Sequence, residues 1–208
     1  MYIAIEGVIG VGKTTLCRML QSSFDSDLQL EVFEENPFLG QFYQDRARYA
    51  FQTQIFFLLS RYHQQREAVR QTIEQGRNLI ADYTFEKDSL FASINLVGDE
   101  LDMYHRVHMA LAEKVIRPDL VVYLRADTPT LMQRIALRDR SYERQMETAY
   151  IQMLNEAYDA HFSQQRENVL VIDSSALNFV LNPQDLKWIE NRIRQTLKLP
   201  PFQAELPL

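Results

Sequence analysis

The sequence predicts an α/β fold, a five-stranded parallel sheet with helices on both faces, and three observations predict it. Five short apolar runs, Tyr2–Glu6, Leu28–Phe33, Asn78–Asp82, Leu120–Leu124 and Val169–Asp173, are rich in Val, Ile and Leu on both faces, as strands covered on two sides must be. Stretches of helical periodicity separate all of them, and this alternation builds a parallel sheet. The first run leads directly into a glycine-rich turn and then a helix. At 208 residues the chain has the length of one α/β domain, so residues 1–208 are expected to fold as a single unit.

In chain order, the first helix follows Lys13, and a long one covers roughly Tyr49 to Gln75 before Gly76 ends it. Further helices are expected over Lys87–Val97, Asp102–Ile116, Thr128–Arg138, Arg144–Gln165 and Pro183–Leu197. Pro200 and Pro201 mark a tail, and no repeat, linker or low-complexity tract interrupts the pattern. In open parallel sheets, ligands bind beyond the C-terminal ends of the strands. Gly7, Glu34, Asp82 and Arg125 each stand where a strand is expected to finish, so they are expected to converge on one crevice.

The segment Gly7-Val8-Ile9-Gly10-Val11-Gly12-Lys13-Thr14-Thr15 fits G-x-x-x-x-G-K-[ST], after a strand and before a helix, as the motif requires. Its glycines let backbone N–H groups turn inward around an anion, and the helix N-terminus adds positive charge. An ordinary glycine turn would not need Lys13 and Thr14 behind it. Lys13 is expected on the β- and γ-phosphates of ATP and the Thr14 hydroxyl on Mg²⁺. The expectation is therefore a P-loop NTPase-type three-layer fold with strand order 2-3-1-4-5.

Further residues bear on the chemistry. Glu34-Glu35, at the expected end of the second strand, offers a carboxylate to an acceptor hydroxyl, or else a solvated acidic pair. Asp82 ends an apolar strand where a Mg²⁺-binding carboxylate would stand, or else caps a turn. Arg134, Arg138 and Arg140 lie in QRIALRDR, and a lid over about residues 134–145 would bring their planar cations to a transferring phosphoryl group. A solvated charged helix is the competing reading. Gln54 and Arg61, seven apart on one helical face among Phe51, Phe56 and Phe57, suit a base edge, although aromatic residues at such spacing also make plain core.

Composition narrows the partners. A net charge of −6 and a pI near 5.3 argue against nucleic-acid binding. The single cysteine, Cys17, excludes an intramolecular disulfide and suits a reducing compartment. No apolar run approaches the ~18 residues of a membrane span, so a cytoplasmic protein without membrane contact is expected.

Five motifs in register resemble the deoxyribonucleoside kinase family, particularly its bacterial deoxyadenosine/deoxyguanosine kinase-like branch. IEGVIGVGKTT is similar to the family's opening, FEENPFLGQFYQD to its second-strand signature, and FQTQIFFLLSR to its base-binding helix. RIALRDRSYE is similar to its lid, and DLVVYL with NVLVID to its last two strands. The resemblance implies transfer of the ATP γ-phosphate to the 5′-hydroxyl of a deoxynucleoside, with Mg²⁺, in nucleotide salvage. It makes Glu34 the general base, with Glu35 the fallback, and puts Tyr43 and Glu143 on the sugar 3′-hydroxyl. Gln54 would pair with the base, Arg61 and Asp88 would flank it, and Phe51, Phe57 and Phe85 would line the pocket. Arg134, Arg138 and Arg140 become lid residues, and the segment after Asp173, including Phe179, passes near the donor adenine. A homodimer through the helices around Lys87–Val97 and Asp102–Ile116 is implied, as is a purine acceptor, although Gln54 fits several bases.

One departure stands out. The family has Glu or Asp followed by Arg and Ser after the third strand, whereas this chain reads Asp82-Tyr83-Thr84. The carboxylate is kept, but the arginine that stands near the reacting 5′-oxygen is absent, so either a lid arginine substitutes or activity is lower or different. Three rivals remain: a thymidylate-kinase-like nucleoside monophosphate kinase, a non-catalytic nucleotide-binding switch, and a family member that has lost activity. The first needs a basic site for the acceptor's phosphate, and FEENP is acidic.

Overall fold

In the computed structural model, residues 1–144, 146–164 and 167–201 are described. Five strands, β1 (Tyr2–Glu6), β2 (Ser26–Gln29), β3 (Asn78–Ala81), β4 (Leu120–Arg125) and β5 (Val169–Asp173), form one sheet in the order β2-β3-β1-β4-β5. All pairings are parallel, with Ile3 opposite both Ile80 and Leu120. This is the expected order and fold class. Central β1 is buried along its whole length because its neighbours and the helices on both faces cover it.

The helices are α1 (Lys13–Leu20), α2 (Leu39–Gln44), α3 (Arg46–Gln64), α4 (Arg70–Glu74), α5 (Lys87–Asn95), α6 (Gly98–Ala112), α7 (Thr128–Arg138), α8 (Thr148–Gln164) and α9 (Pro183–Thr196). Helix α7 keeps its expected bounds because its ends are specified locally. Asp127 accepts from the Thr130 N–H at 2.7 Å, and Asp139 closes the helix in a left-handed conformation. The expected long helix is instead α3, a π-helical stretch over Gln65–Val69, and α4. It starts earlier than expected because Asp45 caps it by accepting from the Arg48 N–H. Helix α6 likewise starts and ends earlier, and α8 starts only at Thr148; of the expected lid and α8, Gln145 and Gln165 lie outside the described residues. The tail is described as far as Pro201.

The second strand departs most. It ends at Gln29, although Leu28–Phe33 reads as one apolar run. The Glu31 N–H leaves the ladder and donates to Asp82 Oδ1 at 2.7 Å. The chain then turns through a 3-10 segment, Phe33–Glu35, and enters α2, a short helix that the sequence reading missed and that buries Leu39 and Phe42. Glu34 is consequently not at a strand end.

Candidate active site

Beyond the C-terminal ends of β1 and β3, the loop from Gly7 to Gly12 has a backbone that only glycine supplies at its tightest points. Gly7 has φ +146°, and a Cβ there would lie 2.4 Å from the Leu124 carbonyl oxygen. Gly12, at φ +104°, faces the Phe179 ring, which a Cβ would meet at 3.0 Å. Phe179 thus brings the segment after β5 against the glycine-rich loop. Lys13 opens α1, and its Nζ donates back to the Gly7 and Val8 carbonyls at 2.7 and 3.2 Å. Burial, and then the charge of Lys87, lower its pKa to about 8. The Thr14 hydroxyl donates to Asp82 Oδ2 at 2.5 Å. Behind the loop, buried Glu6 accepts from the Gly7 and Thr84 N–H groups, tying the start of the loop to the turn after β3.

A cavity of about 280 Å³ opens from this loop toward α3. Ile9, Gly10, Gly12, Lys13, Thr14 and Thr15 line its phosphate end, whereas Val8 and Val11 pack into the core. Tyr43, Gln54, Phe57 and Arg61 line the other end, with Glu143 of the turn after α7. Gln54 is buried, and the ring of Tyr43 stacks on that of Tyr142, their centroids 6.0 Å apart. Burial pushes the Tyr43 hydroxyl well above its ordinary value, so it is a neutral hydrogen-bonding group at working pH. Arg138 forks onto buried Glu143, with nitrogen–oxygen distances of 2.6 to 3.1 Å. Arg140 lies over the Phe33 ring at 4.0 Å.

Several expected members stand elsewhere. Glu34 and Glu35 are exposed on the 3-10 turn and do not line the cavity; because β2 ends at Gln29, Glu31 lines it instead. Arg134 lies outside the lining, because its guanidinium donates to the carbonyls of Val11, Ser174 and Leu177 and so fastens the loop to the segment after β5. Asp88 is fully buried behind Arg61, with which it is ion-paired. Phe85 is buried against His108, their ring centroids 4.7 Å apart, and Phe51 packs at the edge of the core. Arg125 pairs with Asp159 at 3.0 Å and does not join the crevice.

Sequence reasoning missed Glu31, Lys87, Phe33, Leu39, Phe91 and Tyr142. Glu31 accepts from Lys87 Nζ at 2.6 Å and is also ion-paired with Arg61. Burial pushes its carboxyl up, but the Arg61 and Lys87 charges outweigh that and hold it well below the usual carboxylate range. The one available signal was the lone acid in the apolar Leu28–Phe33 run, which a buried strand would not carry unpaired.

The arrangement is thus a phosphate cradle at one end, an aromatic pocket with a buried amide at the other, and an ionised carboxylate between. A family profile described as deoxynucleoside kinase matches residues 3–198. The chain is 34% identical over 201 residues to a deoxyguanosine kinase of Bacillus subtilis strain 168, covering 94% of this chain and 97% of that one. It is also 34% identical over 190 residues to a deoxyadenosine kinase of Dictyostelium discoideum, covering 89% and 76%. A structure of deoxyadenosine kinase from M. mycoides with bound dATP superposes with a TM-score of 0.79 at 26% identity, covering 93% of this chain and 99% of that one. Its complex with the products dCMP and a flexible dCDP gives 0.80 at 27%, covering 94% and 100%. With the profile spanning nearly all of the chain, this protein belongs to the deoxynucleoside kinase family.

Proposed function

We propose that the protein transfers the γ-phosphate of ATP to the 5′-hydroxyl of a purine deoxynucleoside, as a cytoplasmic enzyme of nucleotide salvage. The observation that carries this reading is the position of Glu31, a carboxylate held ionised in one cavity between Lys13 and the aromatic pocket. The purine preference is supported by the relatives, which are named for deoxyguanosine and deoxyadenosine.

Each role follows from the chemistry of the group. The loop N–H groups and Lys13 hold the donor's phosphates, and Gln54 meets the base edge while Phe57 and Phe91 wall the pocket. Arg61 and Asp88 lock each other and fix the polar floor beneath the base. Tyr43 and Glu143 take the sugar 3′-hydroxyl. Glu31, in the role first expected of Glu34, accepts the 5′-hydroxyl proton as the oxygen attacks in line. The O5′–P bond forms while the bond from phosphorus to the bridging oxygen breaks, and ADP leaves with that electron pair. Arg138 and Arg140 offset charge on the moving phosphoryl group. The Thr14 hydroxyl and the Asp82 carboxylate, 2.5 Å apart at the cradle's edge, are oxygen donors of the kind a small hard cation takes, so they would hold Mg²⁺. When bound, Mg²⁺ neutralises charge on the β- and γ-phosphates.

A monophosphate acceptor is disfavoured because Glu31, held ionised in the cavity, would repel the acceptor's own phosphate. A homodimer is supported by α6, which exposes Met103 and Met109.

The test is turnover of deoxyguanosine with MgATP by Glu31→Gln and Glu34→Gln. The first variant is expected to lose about 10²–10⁴-fold in kcat, the usual contribution of a general base, and the second to stay near wild type. The opposite ranking would return the role to Glu34.

A further inference from the structure

Lys87 opens α5 and is buried. Its Nζ lies 2.6 Å from Glu31, and it lines the same cavity as Lys13. Two ammonium groups are thereby brought to one enclosed space, close enough that the charge of Lys87 presses on Lys13. Arg61 is shared between Glu31 and Asp88, so Lys87 supplies Glu31 with its second cation. An ammonium has three donors, and among the described residues Glu31 is the acceptor bonded to this one.

Of the other cations near the site, Arg61 is held by Glu31 and Asp88 and Arg134 is fastened to backbone carbonyls, while Arg138 and Arg140 line the cavity from the end of α7 and the turn after it. Tyr83, directly after Asp82, carries no charge into the cavity; its ring is buried and its hydroxyl donates to Gln64 at 2.9 Å. The Nζ of Lys87 lies 5.7 Å from the centroid of the Phe91 ring and is bonded to Glu31. This leaves the ammonium between the group that takes the acceptor's proton and the group that holds the donor's phosphates.

Resting on the function proposed above, we infer that Lys87 is a catalytic residue whose Nζ hydrogen-bonds an oxygen of the phosphoryl group during transfer. It keeps its proton throughout: the 5′-hydroxyl proton goes to Glu31, the O5′–P bond forms, and ADP departs with the electrons of the broken bond. Lys87 bridges the base and the phosphoryl group, aligning the two as negative charge moves between them.

The test uses the whole protein with deoxyguanosine and MgATP. Lys87→Met is expected to lower kcat by about 10²–10³-fold, as removal of one preorganised donor does, while ATP affinity stays within about threefold. Lys87→Arg is expected to recover part of the loss. Binding of MgADP with aluminium fluoride and deoxyguanosine, a mimic of the planar phosphoryl group, is expected to weaken in Lys87→Met by a similar factor. Unchanged mimic affinity, or a kcat near wild type, overturns the inference. If Lys87→Met does not fold, Glu31→Gln with Lys87→Met removes both charges together. Mimic affinity in that double variant equal to Glu31→Gln alone also overturns it. Failure of the functional reading looks different: the wild-type protein then phosphorylates no deoxynucleoside at all.

Discussion

Lys13 faces opposing demands, because a cation is needed at the phosphates but burial disfavours one. Its pKa of about 8 lies below the unfolded value of about 10.4, so between the two the unfolded chain binds more protons. Stability of the empty protein therefore gains from this group as pH rises from about 8 to about 10, and the charged form is a liability below that. Bound phosphates reverse the preference. Calorimetry should show proton uptake when ATP binds near pH 8 and weakening affinity above it; an affinity that is flat across that window would contradict the account. Lys13→Ala should raise the transfer barrier by about 3–4 kcal/mol, comparable to other preorganised donors, which steady-state kinetics will show. Lys13 was legible from its motif, whereas Glu31 was not, because the sequence gives no local sign that Asp82 draws the Glu31 N–H out of the strand ladder.

At the scale of elements, those with ends fixed by local chemistry were readable and those fixed by distant partners were not. Helix α7 carries its own Asp127 cap, and β1 its unbroken apolar run. The end of β2 depends on a partner 51 positions away, and α2 on packing by Leu39 and Phe42 rather than on any long periodic pattern. The same distinction reassigns Arg134. Its place on α7 was readable, but its bonds to Val11, Ser174 and Leu177 depend on the fold. Arg134→Met should leave buried carbonyls unpaired, cost about 1–3 kcal/mol in chemical denaturation, and weaken ATP binding more than it lowers kcat. A variant with normal stability and a large kcat loss would instead restore Arg134 to the phosphates. Gly7→Ala forces a Cβ toward the Leu124 carbonyl at a φ of +146°. It should lower the melting temperature and abolish detectable ATP binding; wild-type affinity would mean that the loop can deform.

For the whole molecule, the parallel order β2-β3-β1-β4-β5 puts the ends of β1 and β3 side by side, so the loop after one strand meets Asp82 after the other. That convergence was predictable from the alternation of strands and helices. What was not predictable is which side chains of the crossing segments face inward, because Lys87, Phe91 and Tyr142 enter the cavity from elements whose angles are set by packing. Their contribution walls the end of the cavity away from the glycine-rich loop with aromatic rings, beside the ionised carboxylate of Glu31. The most direct measurement is phosphoryl transfer from MgATP to the four deoxynucleosides, their monophosphates and adenosine, with product identified by chromatography. Deoxyguanosine or deoxyadenosine should yield its 5′-monophosphate in step with ADP. Transfer to the monophosphates alone, or ATP hydrolysis without transfer, would contradict the account.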